Sequence, residues 1–262
     1  MHKRNTQQRR RAIVDLLQQQ GEVSVDQLAE VFATSEVTIR KDLAALEDNG
    51  LLLRRYGGAV PVPHELMQEA QARISDGKQA IARAAAQLIR DHYRIILDSG
   101  STIAALLPEL SHKQGLVVMT NSLFIANSLR ELEHEPKLLM TGGSWDPQSE
   151  SFQGQLAEQV LRAYDFDQLF IGADGIDLQR GTTTFNELTS LSRVMAEVAR
   201  EVVVMVESDK IGRKIHNLEL PWTMITHLVT DDKLPDTAQR QIEQQGVKVI
   251  CVPVQPNTDY PE

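Results

Sequence analysis

Five short segments of the chain gather hydroxyl, acidic, basic and glycine residues in patterns suited to binding an anion or hydroxyl groups. In Asp98-Ser99-Gly100-Ser101-Thr102, Gly100 permits a tight turn while hydroxyls and backbone N–H groups converge. A helix starting there favours an anion such as phosphate, although Ser and Thr also cap helices without any ligand. Thr120-Asn121-Ser122 suits either a helix cap or hydroxyl binding, and Thr141-Gly142-Gly143 either close backbone approach or a plain turn. In Gly172-Ala173-Asp174-Gly175 the carboxylate of Asp174 is placed to accept from sugar hydroxyls, or else forms an Asp-Gly turn. Lys210, between Glu207-Ser208-Asp209 and Gly212, neutralises a phosphate or is a solvated surface charge. Each segment alone is weakly specific, and the argument lies in their recurrence.

The elements that must position these segments follow from the apolar runs. Strands are predicted at Ile95–Leu97, Leu116–Thr120, Lys137–Thr141, Gln168–Gly172, Val202–Glu207, His227–Thr230 and Val247–Val252. Helical patterns lie between them near 102–110, 122–132, 155–164, 187–200 and 235–245. Such alternation implies a mainly parallel sheet covered on both faces. Ligands of open α/β sheets bind beyond the carboxyl ends of the strands, so the strand-to-helix junctions carry the chemistry.

The first 60 residues read differently. Thr6 to Gln20 has Ile13, Leu16 and Leu17 at helical spacing and stops at Gly21. Ser24-Val25-Asp26-Gln27 is a capping box that opens a short helix with Val25, Leu28, Ala29 and Phe32 on one face. After Ala33-Thr34-Ser35 a third helix turns Val37, Leu43 and Leu46 inward, with Ile39 at the edge, and ends near Asn49-Gly50. This is a helix-turn-helix pattern. It leaves Ser35, Thr38, Arg40 and Lys41 facing outward, where such side chains reach base edges in a major groove. Leu51 to Val60 reads as a strand, a basic tip with Arg54 and Arg55, and a glycine turn: a wing lying on phosphates. A three-helix protein–protein module with a solvated charged face fits the same pattern.

Length and composition set the bounds. A chain of 262 residues, 42% hydrophobic and 24% charged, suits one large domain or one small and one medium globular domain. No apolar run approaches the ~18–20 residues that span a bilayer, and the basic start is followed by polar residues, unlike a secretory signal. A cytoplasmic location and no membrane partner are expected. The single Cys251 forbids an internal disulfide or a multi-cysteine metal site. The net charge of −9 is uneven: residues 1–60 carry nine Lys and Arg against eight Asp and Glu, and Lys3, Arg4, Arg9, Arg10 and Arg11 form a basic arm. An acidic body with a basic front suits a protein touching a polyanion through one small part.

Arg9, Ile13, Leu17, Ser35, Thr38, Ile39, Arg40, Lys41, Asp42 and Leu43 stand at the spacing of a known signature, with the TIRKDL core unbroken and RRYGGA after it. The chain thereby resembles the DeoR-type bacterial transcription regulators. The similarity continues through DSGST at 98–102, TNS at 120–122, GG at 142–143, GADGID at 172–177, TTFNE at 183–187 and SDK with Gly212 at 208–212. It implies an operator-binding helix-turn-helix with Ser35, Thr38, Arg40 and Lys41 as DNA contacts, while Asp42 either orients a neighbour, caps the helix or meets DNA. It further implies an α/β sugar-phosphate-sensing domain related in fold to ribose-5-phosphate isomerase and coenzyme A transferases. The effector pocket implied by the match is Asp98, Ser99, Gly100, Ser101, Thr102, Asn121, Gly143, Asp174, Glu187 and Lys210. The stretches TNSLFIANSL, SFQGQLAE and GADGIDLQRGTTTFNE point to a hexitol or related sugar. His92-Tyr93 stands where family members often have Gly-Asp, and the linker lacks their common Phe-x-x-Arg.

The resulting expectation is a winged helix-turn-helix domain over 1–57, a linker over 58–77, an α/β effector domain over 78–254 and a tail over 255–262. Its function is that of a homo-oligomeric repressor, a dimer or tetramer, binding double-stranded operator DNA and released by a phosphorylated sugar or sugar alcohol. Neither a cofactor nor a metal is implied. The alternative is a sugar-phosphate isomerase with an accessory DNA-binding domain, using Asp174 and Glu187 as carboxylates. Isomerase relatives carry a Lys after their acidic loop; here Arg180-Gly181 lies near that place, and a guanidinium is no base at neutral pH. No Walker loop, His-Glu-x-x-His or Gly-x-Ser-x-Gly motif occurs.

Overall fold

Strands buried on both faces of a parallel sheet are continuous apolar runs, and seven such runs build the larger part of the protein. The computed structural model describes residues 9–10, 12–14, 16–17, 22–47, 52–55, 57–60, 74–147, 149–186, 189–213 and 215–254. The chain divides into two compact units, Met1–Arg73 and Ile74–Glu262.

In the first unit the described residues between Arg9 and Leu17 are helical. Strand β1 (Val23–Ser24) leads into α1 (Val25–Val31), whose cap is the predicted box: Ser24 accepts from the Gln27 N–H while the Gln27 side chain accepts from the Ser24 N–H. A turn in which Ala33 takes φ +46° connects α1 to α2 (Glu36–Glu47). Strands β2 (Leu53–Arg55) and β3 (Gly58–Val60) form a hairpin, and β1 pairs with β3, giving the antiparallel order β1-β3-β2 of a wing. Ile13, Leu17, Leu28, Ile39, Leu43, Leu46 and Leu52 close the core.

Two expectations are corrected here. Val37 is 61% exposed and Ile39 fully buried, because the buried positions of α2 run 39, 42, 43, 46 and put position 37 on the opposite side. The wing's return strand occupies Gly58–Val60, inside the expected linker, because its pairing with β1 makes it part of the fold. The remaining linker residues 61–73, and the tail from 255, lie outside the described residues.

The second unit opens with α3 (Asp76–Ala86), capped by Ser75 and starting two residues ahead of the expected Lys78. It continues through β4 (Arg94–Leu97), α4 (Ser101–Ala104), a 3-10 turn at Leu107–His112, β5 (Val117–Thr120), α5 (Leu123–Leu129) and β6 (Lys137–Met140). Then follow a hairpin of β7 (Ser144–Asp146) and β8 (Ser151–Gln153), α6 (Gln155–Arg162), β9 (Phe166–Ile171), β10 (Gly175–Asp177) and β11 (Gly181–Thr184). The unit finishes with α7 (Ser190–Glu197), β12 (Ala199–Met205), β13 (Asn217–Pro221), β14 (His227–Asp231), α8 (Asp236–Glu243) and β15 (Lys248–Val252).

All seven predicted strands join one parallel sheet, ordered β15-β14-β12-β9-β4-β5-β6. Apolar clusters on its two faces form the core, one around Ile81, Leu97 and Phe170 and the other around Leu169, Met195 and Val204. From β4 the chain grows outward to β5 and β6, then returns across to β9. The gap between β4 and β9 is therefore the point at which strand order reverses, the usual ligand crevice of an open α/β sheet.

The helix expected over 102–110 is one α-turn followed by 3-10 geometry, since Pro108 lacks the N–H a longer α-helix needs. The helix expected over 187–200 stops at Glu197, because Ala199 already pairs with Phe166 in the sheet. The small antiparallel sheet β10-β11-β13 and the β7-β8 hairpin carry too little apolar character to be read from the sequence.

Candidate functional site

In the first unit, the start of α2 presents Ser35, Glu36, Val37, Arg40 and Lys41 at the surface. Ser35 Oγ lies 2.9 Å from Thr38 Oγ1 and accepts from the Thr38 N–H at 3.3 Å, so the two hydroxyls cap the helix and face out together. Arg40 donates through Nη2 to Glu36 Oε2 at 2.8 Å, one turn back. That exposed i,i+4 pair steers the guanidinium along the helix surface. Val37 adds an exposed methyl surface of the kind that contacts thymine, and reading it as a core residue hid this. Arg54 is exposed on the wing, whereas the Arg55 side chain lies outside the described residues.

Asp42 has a structural role. It is 2% exposed and accepts from Arg9 Nε and Arg10 Nε, each at 2.7 Å. Of the alternatives open for Asp42, orienting neighbouring side chains is what the geometry provides, and two arginines of the basic arm are committed to it.

In the second unit, Asp98 directly follows β4 and Asp174 follows β9, one on each side of the crevice. Asn121, beyond β5, donates through Nδ2 to Asp98 Oδ1 at 2.9 Å. Its own Oδ1 is buried with no hydrogen-bond partner among the described residues, an acceptor awaiting a donor. Asp174 Oδ2 accepts from Thr184 Oγ1 at 2.7 Å and from the Phe185 N–H at 3.3 Å, which ties it to β11. Lys210, in the turn after β12, donates to the Ala173 carbonyl at 3.0 Å. That turn is anchored from β14, where Asp231 accepts from the Ser208 N–H at 2.7 Å and hydroxyl at 2.6 Å.

Electrostatics mark the same place. Burial pushes Asp98 up to about 6, partly offset by the Ser99 N–H and Asn121, and the Asp174 charge adds to the rise. Burial also lowers the Lys210 pKa, with Asp174 opposing. Asp98, Asp174 and Lys210 therefore share one partly desolvated space.

Sequence reasoning missed Lys78 and Glu219. Lys78 Nζ, on the first turn of α3, donates to Ser101 Oγ at 3.0 Å. Glu219 on β13 is buried and accepts from Ser192 at 2.8 Å and Thr182 at 3.3 Å. Burial and then the Asp98 charge push Glu219 up to about 7. Neither residue sits in a motif; only the tertiary fold brings them to the crevice.

The remaining candidates divide. Gly100 has φ +109° with open space where a side chain would project, and Ser101 joins Lys78. Thr102 is buried in the turn of α4. Because α4 is four residues long, positive charge at this junction comes from lysines and not from a helix dipole. A Cβ on Gly143 would lie 2.4 Å from the Gln153 carbonyl oxygen, so packing against β8 accounts for it. Glu187 lies outside the described residues. Arg180 pairs with Asp177 at 2.9 Å and donates to the Ile215 carbonyl at 3.2 Å, a bracing contact.

Residues 74–232 match the family model described as the DeoR C terminal sensor domain, and residues 9–64 match the DeoR-like helix-turn-helix domain. The chain is 39% identical over 254 residues to the putative aga operon transcriptional repressor of Escherichia coli O157:H7, covering 94% of each. It is 32% identical over 248 residues to the HTH-type transcriptional regulator GlpR of Haloferax volcanii, covering 93% of this chain and 96% of the relative. Among solved structures, ribose 5-phosphate isomerase A from Methanocaldococcus jannaschii aligns with 51% of this chain and 53% of its own at 21% identity and a TM-score of 0.37.

Proposed function

The chain belongs to the DeoR family of transcription regulators, and on that premise we propose that it represses a sugar or sugar-alcohol operon and releases its operator when a phosphorylated sugar enters the crevice between β4 and β9. The observation that carries this reading is the convergence of Asp98, Asn121, Asp174 and Lys210 at the strand-order reversal. Carboxylate and amide acceptors suit sugar hydroxyls, and a partly desolvated ammonium suits phosphate. Ser35, Thr38, Arg40 and Lys41 read base edges while Arg54 and Arg55 of the wing rest on phosphates. Ser99, Gly100, Ser101, Thr102 and Gly143 complete the proposed effector set, to which the family resemblance adds Glu187.

The relatives' names, an aga operon repressor and GlpR, support repression of carbohydrate operons. The stretches around 120–129, 151–158 and 172–187 resemble the glucitol operon repressor, which makes a hexitol phosphate the first ligand to test. We place the protein in the cytoplasm as a homo-oligomer on repeated half-sites; no described helix is long and apolar enough to cross a membrane. A regulator is favoured over an isomerase because Arg180, near the place of the isomerase lysine, is spent on Asp177 and a carbonyl.

The test incubates the purified chain with promoter fragments, random duplex and candidate sugar phosphates at moderate salt. Preference for one fragment, relieved by one sugar phosphate without its isomerisation, is the expected result. Turnover of the sugar without selective DNA binding rejects the proposal.

A further inference from the structure

The amino ends of β4 and β9 hold a cavity at the end of the sheet opposite the crevice. It measures about 340 Å³ and is lined by Arg94, Arg162, Ala163, Tyr164 and Asp165. Arg94 opens β4, and Ala163 to Asp165 lead from α6 into β9. The Arg94 backbone N–H donates to Asp167 Oδ2 at 2.9 Å, while Asp167 Oδ1 lies 3.6 Å from Arg200 Nη1. The half-buried guanidinium of Arg94 stands over two rings, its Cζ 5.7 Å from the centroids of both Tyr164 and Phe166.

That guanidinium lacks an anion. Its Nε is buried with no hydrogen-bond partner, and none of its nitrogens pairs with a carboxylate among the described residues. An arginine cannot escape by losing its proton, and the two rings attract its charge without supplying an acceptor for its five N–H groups. A partly desolvated cation in this state is stabilised by a charged acceptor. The lining decides which kind. Arg162 is held between Glu158 Oε2 at 3.3 Å and Glu197 Oε2 at 3.5 Å, and Asp165 adds a further carboxylate. These acids oppose a dianion, so a ligand with one negative charge suits the cavity. A carboxylate is planar and accepts two parallel N–H bonds from the outer edge of the guanidinium fork. The Tyr164 ring, 37% exposed, offers its face to a flat body attached to that carboxylate.

We propose that this cavity is a binding site for a small organic monocarboxylate, whose carboxylate pairs with Arg94 and whose body packs on Tyr164. It is separate from the crevice in place and in chemistry. The two sites lie at opposite ends of the same pair of hydrogen-bonded strands, β4 and β9, and a singly charged carboxylate differs from a sugar phosphate in charge and in shape. A ligand held there ties the first residue of β4 to the segment that leads into β9.

Calorimetric titration of the full chain with benzoate, acetate and isophthalate at constant ionic strength tests the assignment. Benzoate is expected to bind saturably. Acetate, which has no ring, and isophthalate, which carries a second charge, are each expected to bind about tenfold more weakly. Arg94→Met keeps an unbranched side chain against the two rings and the backbone bond to Asp167 but removes the charge. It is expected to weaken benzoate by about tenfold to a hundredfold. Arg94→Lys keeps the charge without the fork and is expected to fall between the two. Thermal melts confirm that the compared chains are folded, and titration with sugar phosphate is expected to stay as in the wild type for both variants, which separates this site from the crevice. Wild-type affinity for benzoate in Arg94→Met overturns the proposal. A wild-type chain that binds none of the three titrants also overturns it, and a lower sedimentation mass of Arg94→Met would then assign the guanidinium to a carboxylate of a second copy.

Discussion

At the scale of single residues, each proposed activity depends on a charge whose neighbours limit where it points. Arg40 is exposed but steered by Glu36, and an arginine aimed at a guanine edge contributes about 1–3 kcal/mol of discrimination. Arg40→Ala is therefore expected to lower the ratio of operator to random-duplex affinity by roughly tenfold or more, read by fluorescence anisotropy, while the titration of sugar phosphate stays as in the wild type. Loss of both activities would indicate misfolding and remove Arg40 from the base-reading set. Lys210 offers the complementary test, since its ammonium is a half-buried cation of the crevice. Lys210→Ala is expected to need about tenfold to a hundredfold more sugar phosphate for operator release, and an unchanged release curve would exclude Lys210 from the site.

Among the elements, α2 shows how a polar residue is made part of a core. Asp42 shares the inner face with Ile39, Leu43 and Leu46, and it is tolerated there because Arg9 and Arg10 both donate to it. Removing the carboxylate strands two partly buried guanidinium groups, so Asp42→Ala is expected to cost the first unit about 2–3 kcal/mol. Chemical denaturation followed by an operator-binding assay checks this; an unshifted midpoint would mean that water replaces the carboxylate at no cost. The same helix shows why the sequence was only partly legible. Val37 reads as a core residue, but the buried register 39, 42, 43, 46 turns it outward, and the role of Asp42 stayed open because its partners Arg9 and Arg10 lie far away in the sequence. The seven parallel strands were legible because apolar runs such as Val202 to Met205 have no other stable home. The Gly-Thr-Thr-Thr of β11 was not: it is buried with its hydroxyls satisfied by Glu219, the Arg213 carbonyl and Asp174, partners supplied by other segments. For the same reason Lys78 and Glu219, which sit in no motif, do not stand out in the sequence.

For the molecule as a whole, the crevice links ligand, proton and fold. Glu219 rises to about 7 and Asp98 to about 6 because burial disfavours their charged forms. The folded sensor unit therefore keeps protons that the unfolded chain releases in the lower range ordinary for carboxyls. Stability must fall as pH climbs from about 4 through about 7, and level off above. Glu219 faces the hydroxyls of Ser192 and Thr182 and the charges of Asp98 and Asp174, with no cation paired to it among the described residues. Glu219→Gln removes the buried charge while keeping a side chain that the two hydroxyls can still meet. It is expected to stabilise the sensor unit at pH 8 by on the order of 2–3 kcal/mol, a melting-temperature gain of roughly 4–10 °C, and to change little at pH 5. Melting curves of the wild type and this variant across that range decide the matter. A wild type no less stable at pH 8 than at pH 5, or a variant whose pH profile parallels it, would show that water reaches Glu219 and Asp98 and that the crevice floor is not desolvated.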